Sequence, residues 1–475
     1  MREFIPKIIQ GGMGAGVSNW RLAQTVSRIG QLGVVSGTGL DTILARRLQD
    51  GDPEGHVRRA LSHLPFPKMV QRILDTYFIP GGKAPDASYR LTGMHTVEGS
   101  RTPQEMCLAA NFVEVFLAKE GHSNPVGINY LEKIQLPHLP SIYGAMLAGV
   151  GVVIMGAGIP IEIPGVLDGL VNHAMVSYPI HVTGTESAEV QRMVFDPADF
   201  NEGVPTLASL QRPVFLPIVS SDTLATMMIR RANGSIQGFI IEGPLAGGHN
   251  APPRGKLQLS EKGEPVYGPR DVTNLHTFRE LKLPFWLAGA YGSPEGYQTA
   301  LSLGAAGIQM GTAFALCLES GITPEVRRAL VQNALAGKAE IFTDPQASPT
   351  GFPFKVAKLE GTLSDPAVYA RRQRVCDLGF LREVYRKPDG TLGYRCPSEP
   401  IDSYLAKGGK IEATVNRKCL CNALVSNIGY PQRFKDGSLD LPMITLGDDY
   451  ANIARFCSAG NEDFTAADVI RIVLG

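Results

Sequence analysis

The stretch Phe285-Trp-Leu-Ala-Gly-Ala-Tyr-Gly-Ser-Pro294 carries the pattern that decides the fold. A short apolar run ends in a glycine-containing turn. Ser293 can then cap a helix that starts at Pro294, because serine accepts a hydrogen bond from free helix amides and proline fits the first helical position. A run rich in alanine and leucine continues to Gly304, and a second apolar run, Gly307–Met310, follows. The segment predicts a strand–helix–strand unit of a parallel sheet.

The same rhythm extends over most of the chain, with eight short apolar runs separated by segments of helical period. Most runs end in a glycine, a serine or a polar residue, where the loops at the C-terminal face of a barrel would begin. The sequence therefore predicts an α/β protein, a (β/α)₈ TIM barrel. The predicted strands are Lys7–Gln10, Gly33–Ser36, Val126–Asn129, Gly151–Met155, Val214–Val219, Gly238–Glu242, Phe285–Ala288 and Gly307–Met310.

Two regions do not fit a minimal barrel. A helical insert of about residues 41–113 separates the second and third strands, with helical patches at Gly55–His63 and Lys68–Tyr77. From about Gly337 onward the barrel rhythm is lost, and short helical patches mix with turns. We predict a barrel in residues 1–336 and a mixed C-terminal extension, residues 337–475, packed on it.

The composition of the 475 residues excludes several classes of partner. Lysine plus arginine balance aspartate plus glutamate at 45 each, and no polybasic block suggests nucleic acid or an anionic membrane surface. The start has no apolar signal region. Glycines break the apolar stretch Pro140–Ile161, which favours a helix followed by a buried strand over a membrane span. We expect a cytoplasmic protein without nucleic-acid or membrane partners, and leave open whether it forms a homodimer.

Three glycine-rich loops are candidates for binding a cofactor. The first, Gln10-Gly-Gly-Met-Gly-Ala-Gly16, follows the first strand, and its glycines would let backbone N–H groups approach a flat ring or a phosphate. It is not a dinucleotide fingerprint, because Val17 stands where glycine or alanine is needed. Ser36 also stands where the next strand should end in an acidic residue.

The second candidate is the pair of turns after the last two strands. Gly289 and Ala290 offer small residues in one turn, and Gly311 with Thr312 offers donors in the other. Barrels often bind phosphate with the loops after strands seven and eight and the N-terminus of a short helix. The pair therefore predicts a phosphate site.

The third candidate is Glu242-Gly-Pro-Leu-Ala-Gly-Gly-His249, at the end of the sixth strand. A histidine placed after Gly247 and Gly248 can point into a cleft, and its ordinary pKa of about 6.5 suits proton transfer. The alternative is a histidine on the surface or in the core. Arg254, further along the loop, could attract an anionic substrate or only solvate the loop.

These loops, in this order, resemble the nitronate monooxygenase family, formerly called 2-nitropropane dioxygenases, and its flavin-dependent enoyl- and quinone-reductase relatives. The resemblance covers roughly residues 6–320, while the insert and the extension resemble only a larger subgroup of the family. The matching segments are Ile8–Met13, Gly127–Asn129, Pro217–Ser221, Ala246–His249, Leu287–Ala290 and Ala305–Phe314.

The resemblance implies a non-covalent FMN cofactor and a catalytic base, His249. It implies that the FMN phosphate lies near the turns after the last two strands and that the ring lies against Gly11–Met13 and Asn129. The full set of implied cofactor contacts is Gln10, Gly11, Gly12, Met13, Asn129, Ser221, Glu242, Gly247, Gly248, Gly289, Ala290, Gly311 and Thr312.

The resemblance leaves the reaction less certain than the cofactor, because one flavin site supports several chemistries. A nitronate monooxygenase takes a small anionic substrate, a nitronate, and O₂, and releases a carbonyl compound and nitrite. The alternative is a reductase that passes electrons from NAD(P)H to an enoyl thioester or a quinone. A third interpretation, a barrel that has become a binding subunit, is disfavoured by the intact flavin loops and His249.

Four of the seven cysteines, Cys376, Cys396, Cys419 and Cys421, lie in the extension and could form a zinc or iron–sulfur site. The spacing lacks a pair of C-x-x-C knuckles, and no histidine lies in this stretch. We therefore predict buried free thiols and no metal.

Overall fold

The computed structural model describes residues 5–184, 190–458 and 460–475. Its central sheet has eight parallel strands, each paired with its neighbours around a barrel. The ring closes because Ile9 pairs in parallel with Leu32, just before the second strand, and the Gln10 N–H donates to the Leu32 carbonyl at 2.9 Å. The strands are β1 Ile8–Gln10, β2 Gly33–Ser36, β3 Val126–Leu131, β4 Val152–Gly156, β5 Val214–Val219, β6 Phe239–Glu242, β7 Phe285–Ala288 and β8 Gly307–Met310.

The predicted TIM barrel is confirmed, and every predicted strand is present with nearly the predicted bounds. Alternate residues of the strands fill the barrel interior, because successive side chains of a strand point to opposite faces. The Trp286 indole donates to the Pro6 carbonyl, ahead of β1, at 2.8 Å, so it fills the N-terminal end of the barrel. The interior residues are Ile9, Leu32, Val34, Val152, Ile154, Leu216, Ile240, Trp286 and Ala288.

Helices cover the outside of the barrel. Ser293 caps its helix as predicted, accepting from the Gly296 N–H at 3.0 Å. The α-helices are Trp20–Arg28, Leu40–Gln49, His56–Leu61, Pro67–Tyr77, Arg101–Lys119, His138–Leu147, Ile163–Val171, Asp222–Arg231, Leu275–Glu280, Pro294–Ser302, Thr312–Ala315, Pro324–Leu335, Pro366–Ala370, Ile401–Ala406, Leu420–Ser426 and Ala466–Leu474. The 3₁₀ helices are Pro197–Phe200, Pro269–Asp271, Ile411–Thr414 and Asp448–Phe456.

Three small sheets lie outside the barrel. Val176–Pro179 pairs with Arg192–Phe195, and Ile341–Asp344 pairs with Phe354–Ala357, both antiparallel. The third joins the chain before β5 to the C-terminal extension and consists of Val182–Thr183, Glu383–Arg386 and Leu392–Arg395.

The glycine-broken apolar stretch forms the helix His138–Leu147 followed by β4, as the sequence predicts. Across the described residues, no helix has the length and apolar character needed to cross a membrane.

The predicted insert, about residues 41–113, ends inside the helix Arg101–Lys119. This helix packs against the barrel helices Trp20–Arg28 and His138–Leu147. Its Glu114 carboxylate accepts from the Trp20 N–H at 2.8 Å, so part of the predicted insert serves as a barrel helix.

The last helix, Ala466–Leu474, packs against Trp20–Arg28 and Pro294–Ser302, the first and seventh helices of the ring. That is the place of the eighth helix of a barrel. The division of the chain at residue 336 stays a prediction, and the position of this helix indicates that the barrel also draws on residues beyond it.

Candidate active site

A cavity opens at the C-terminal ends of the barrel strands, opposite Trp286. The loops after β1, β6, β7 and β8 and parts of the extension form its walls. Twelve of the fourteen residues predicted for the site line it, namely Gly11, Gly12, Met13, Asn129, Glu242, Gly247, Gly248, His249, Gly289, Ala290, Gly311 and Thr312.

The loop after β1 lies close against Asn129 of β3. A Cβ on Gly12 would stand only 2.4 Å from the Asn129 Cβ, so this position requires glycine. The Asn129 side-chain amide donates to the Gly12 carbonyl at 3.1 Å, and its Oδ1 is buried without a partner. Gln309 of β8, which was not predicted, also lines the cavity with a buried, unpartnered Oε1. This wall of the cavity thus presents two amide oxygens that lack a hydrogen-bond donor among the described residues.

Gln10 and Ser221 are the two predicted cofactor contacts that do not line the cavity. The Gln10 side chain points away from the barrel interior, donates to Ser18 Oγ at 2.9 Å and accepts from the Val34 N–H at 2.9 Å. The Ser221 hydroxyl caps the helix Asp222–Arg231 and accepts from the Leu224 N–H at 3.1 Å. Both side chains accept hydrogen bonds from backbone N–H groups near the cavity. They therefore stabilise the backbone next to the cavity and do not line it.

The turns after β7 and β8 lie side by side at the cavity, because the two strands are hydrogen-bonded neighbours. Gly289 and Ala290 have φ values of 99° and 63°, a left-handed conformation that costs energy for alanine and turns the backbone sharply. Beside them the helix Thr312–Ala315 begins, and the first amides of a helix have no intrahelical acceptor. The Thr312 hydroxyl accepts from the Gly447 N–H at 2.9 Å.

His249 lies at the edge of the cavity, between the β6 loop and the extension. Its Nε2 is 2.7 Å from Ser348 Oγ, and its ring packs edge-on against Phe354 at 4.8 Å between centroids. Burial lowers the pKa of His249 to about 4, so the imidazole is neutral at pH 7. A neutral imidazole can accept a proton, and the serine fixes its orientation.

Glu242, at the end of β6, lines the same cavity. Burial raises the pKa of its carboxyl group to about 8, because the charged form is poorly solvated there. At pH 7 most of the carboxyl is therefore protonated. The cavity contains a base and an acid whose pKa values are both displaced, which is a common feature of catalytic sites.

The extension supplies the wall that sequence reasoning missed. A Cβ on Gly447 would stand 2.9 Å from the Leu245 carbonyl oxygen and 3.0 Å from the Gly247 nitrogen, so the segment lies tightly against the histidine loop. The Thr445 hydroxyl accepts from the Gly248 N–H at 2.9 Å. The extension residues of the lining are Phe354, Leu424, Thr445, Leu446, Gly447 and Asp449.

Within the described part of the chain, the lining contains no lysine or arginine. Arg254 does not reach the cavity, since its guanidinium donates to the Ser220 carbonyl at 3.2 Å on an exposed surface. The acidic side chains Glu242 and Asp449 are the ionisable groups of the lining besides His249 and two tyrosines.

Comparison with known proteins bears on this arrangement. A family model described as nitronate monooxygenase matches residues 186–346, which include the histidine loop and the turns after β7 and β8. A nitronate monooxygenase of Pseudomonas aeruginosa is 36% identical over 114 residues, 24% of this chain and 31% of that protein. The aligned stretch thus spans about a third of the relative's length. The resemblance to the nitronate monooxygenase family is confirmed.

Two solved structures are similar over almost the whole chain. FabK from Thermotoga maritima has a TM-score of 0.47 and 16% identity, covering 99% of this chain and 92% of that one. Nitroalkane oxidase from Streptomyces ansochromogenes has a TM-score of 0.45 and 14% identity, covering 99% and 95%.

Proposed function

We propose that this chain is an FMN-dependent oxidoreductase whose first candidate reaction is the oxidation of a nitronate by O₂ to a carbonyl compound and nitrite. The observation that carries the proposal is the position of His249 at the edge of a glycine-lined cavity, with the turn Gly289–Ala290 in the same cavity. We further propose that the substrate is a small molecule and that the protein acts in the cytoplasm. A homodimer remains a prediction.

The lining of the cavity suits FMN. A phosphate would meet backbone N–H groups at Ala290 and at the start of the helix Thr312–Ala315, where negative charge is stabilised. The unpartnered oxygens of Asn129 and Gln309 are acceptors for the N–H edge of a flavin ring. When bound, FMN would supply the electron transfer of the reaction.

His249 would handle the proton of the reaction. Because its imidazole is neutral above a pH of about 4, it could take the proton from the carbon next to the nitro group of a neutral nitroalkane, which would form the nitronate that is oxidised. Ser348 would keep Nε2 in place, and the extension wall would exclude water from the reacting atoms. Protonated Glu242 leaves the cavity without a repelling negative charge at that point.

A reductase is the second candidate, and the absence of a cationic side chain from the described lining favours it. An anionic nitronate has no countercharge there, whereas an uncharged enoyl or quinone group needs none. Protonated Glu242 is a potential proton donor to a substrate that would receive hydride from reduced flavin, whereas neutral His249 could only donate a hydrogen bond at pH 7.

Spectroscopy of the purified protein tests both candidates. We expect the absorption bands of bound flavin, either as purified or after addition of FMN. A colourless protein that takes up no FMN would exclude both reactions. Anaerobic mixing then separates them, because a nitronate should bleach the flavin of a monooxygenase and NADH or NADPH should bleach that of a reductase.

A further inference from the structure

Four cysteines of the extension surround one small cavity, separate from the flavin cavity. Cys376, Cys396, Cys419 and Cys421 all line it, although they come from three different segments of the chain. Cys419 and Cys421 lie at the start of the helix Leu420–Ser426. All four are free thiols, so none is joined to another by a disulfide. Zinc ions and iron–sulfur clusters are commonly bound by four cysteine thiolates, so four thiols around one cavity form a candidate metal site.

The four sulfur atoms also influence one another electrostatically. Cys419 lies within electrostatic reach of each of the other three, and Cys376 and Cys396 both reach Cys421. The backbone N–H groups of Leu381 and Ser398 face the sulfurs of Cys421 and Cys396. The Asn422 side-chain amide points to Cys419 Sγ at 3.8 Å. Such N–H donors stabilise thiolates in metal centres.

The guanidinium of Arg382 lines the same cavity. The Arg382 guanidinium donates to the carbonyls of Gly379 and His95 at 3.0 and 2.7 Å, and it makes no ion pair with a carboxylate of the described chain. It lies within electrostatic reach of Cys376 and Cys396, and also of the Glu399 carboxylate, which lines the same cavity and pairs with Lys407. The positive charge of Arg382 would help to stabilise thiolates bound to a metal in this cavity.

We propose that Cys376, Cys396, Cys419 and Cys421 ligate a metal centre in the extension, and that this centre is an iron–sulfur cluster. A single zinc ion needs its four sulfurs roughly 4 Å apart, since each Zn–S bond is about 2.3 Å long. In the described chain, the ligand atoms gathered within 4.8 Å of one another are those of Asp41, His95 and Cys107, and no three of the four thiols form such a group. A multi-iron cluster holds its thiolates further apart than one zinc ion does.

The proposed centre is connected to the flavin cavity by two segments. The helix Leu420–Ser426 carries Cys421 at one end and Leu424, a residue of the flavin cavity, one turn later. Pro349 lines the cysteine cavity, and Ser348, its neighbour, contacts His249. Arg417, which lies within electrostatic reach of Cys396, donates to the Ser348 carbonyl at 2.5 Å. Binding of the metal centre would therefore order the segment that contains Ser348, the residue that orients His249.

Metal and sulfide analysis of the full chain, purified without oxygen, tests the proposal. We expect iron and acid-labile sulfide in equal amounts, roughly four of each per chain for a four-iron cluster. We also expect an electron paramagnetic resonance signal after dithionite reduction that differs from a flavin radical. One zinc ion per chain without sulfide would support a metal centre ligated by the four thiolates, but it would contradict the assignment of an iron–sulfur cluster. The absence of both metals, with four thiols that react in the native protein, would overturn the proposal.

Substitutions separate ligation from folding. Cys419→Ser and Cys376→Ser should each lower the metal content about tenfold or more, while the protein still takes up FMN. Cys457→Ser is the matched control, because Cys457 lies outside the cavity, and it should keep the metal. If a ligand variant does not fold, chelation of the wild-type protein gives the same comparison. Equal metal content in Cys419→Ser, Cys376→Ser and the control would contradict the assignment.

Discussion

The two walls of the cavity proposed to bind flavin are built in different ways. The barrel wall consists largely of backbone: Gly12, Gly248 and Gly289 bring the chain itself to the cavity surface, and their positions depend on strands that the barrel fixes. The extension wall consists of side chains, Phe354, Leu424 and Thr445, that reach the cavity through tertiary packing. The barrel wall is therefore suited to binding a cofactor. The side chains of the extension wall can instead determine which substrate fits and how His249 is oriented.

The largest effect on catalysis should come from substitution of His249, which lies between the two walls. His249→Ala should lower kcat/KM about 10²–10⁴-fold, because a positioned general acid or base contributes that much to a proton transfer. FMN content should not change, since the imidazole is not part of the phosphate turns. His276→Ala is the control, because His276 is exposed on the helix Leu275–Glu280. Turnover of His249→Ala within about tenfold of wild type would contradict the role.

A change in the barrel wall should affect the cofactor first. Gly12→Ala would place a Cβ 2.4 Å from the Asn129 Cβ, and overpacking of this kind costs about 1–3 kcal/mol. We expect the Kd for FMN, measured by fluorescence titration of the apoprotein, to rise about 5- to 150-fold. Gly268→Ala is a matched control, because a Cβ there meets nothing within 4 Å. An unchanged Kd would show that the β1 loop does not touch the cofactor.

The pH profile should be limited by the displaced pKa values of the cavity. Burial lowers the pKa of His249 to about 4 from about 6.5, so its base form is present above pH 4 and is lost below it. Burial raises the pKa of Glu242 to about 8 from about 4.3, so a negative charge enters the cavity as pH rises through 8.

If protonated Glu242 is required, kcat/KM should fall about tenfold per pH unit above 8. Glu242→Gln should remove this alkaline limb, because an amide cannot ionise. Rates measured from pH 5 to about 9.5 in the wild type and the variant provide the comparison. An alkaline limb that persists unchanged in Glu242→Gln would assign it to another group.

The contrast between the walls also explains what the sequence could predict. Apolar runs and glycine turns reveal the barrel strands and the loops after β1, β6, β7 and β8, because their pattern is local. Gln10, which was predicted together with Gly11 and Gly12, does not line the cavity, because alternation along β1 turns its side chain away from it. Thr445, Leu446 and Gly447 carry no local pattern, and their place in the site results from contacts with residues about 200 positions earlier, such as Gly248.

The smallest effect should come from a substitution in the extension that changes only how His249 is held. Ser348→Ala removes the hydroxyl that lies 2.7 Å from His249 Nε2, and a hydrogen bond of this kind contributes about 0.5–1.5 kcal/mol. We expect kcat to fall about 2- to 10-fold with little change in the Kd for FMN, since the barrel wall is untouched. Ser348→Thr, which keeps the hydroxyl, should recover part of the loss, while Ser403→Ala on an exposed helix should have no effect. A weaker FMN affinity in Ser348→Ala at unchanged kcat would instead mean that the extension wall holds the cofactor, and the division of labour between the two walls would then be wrong.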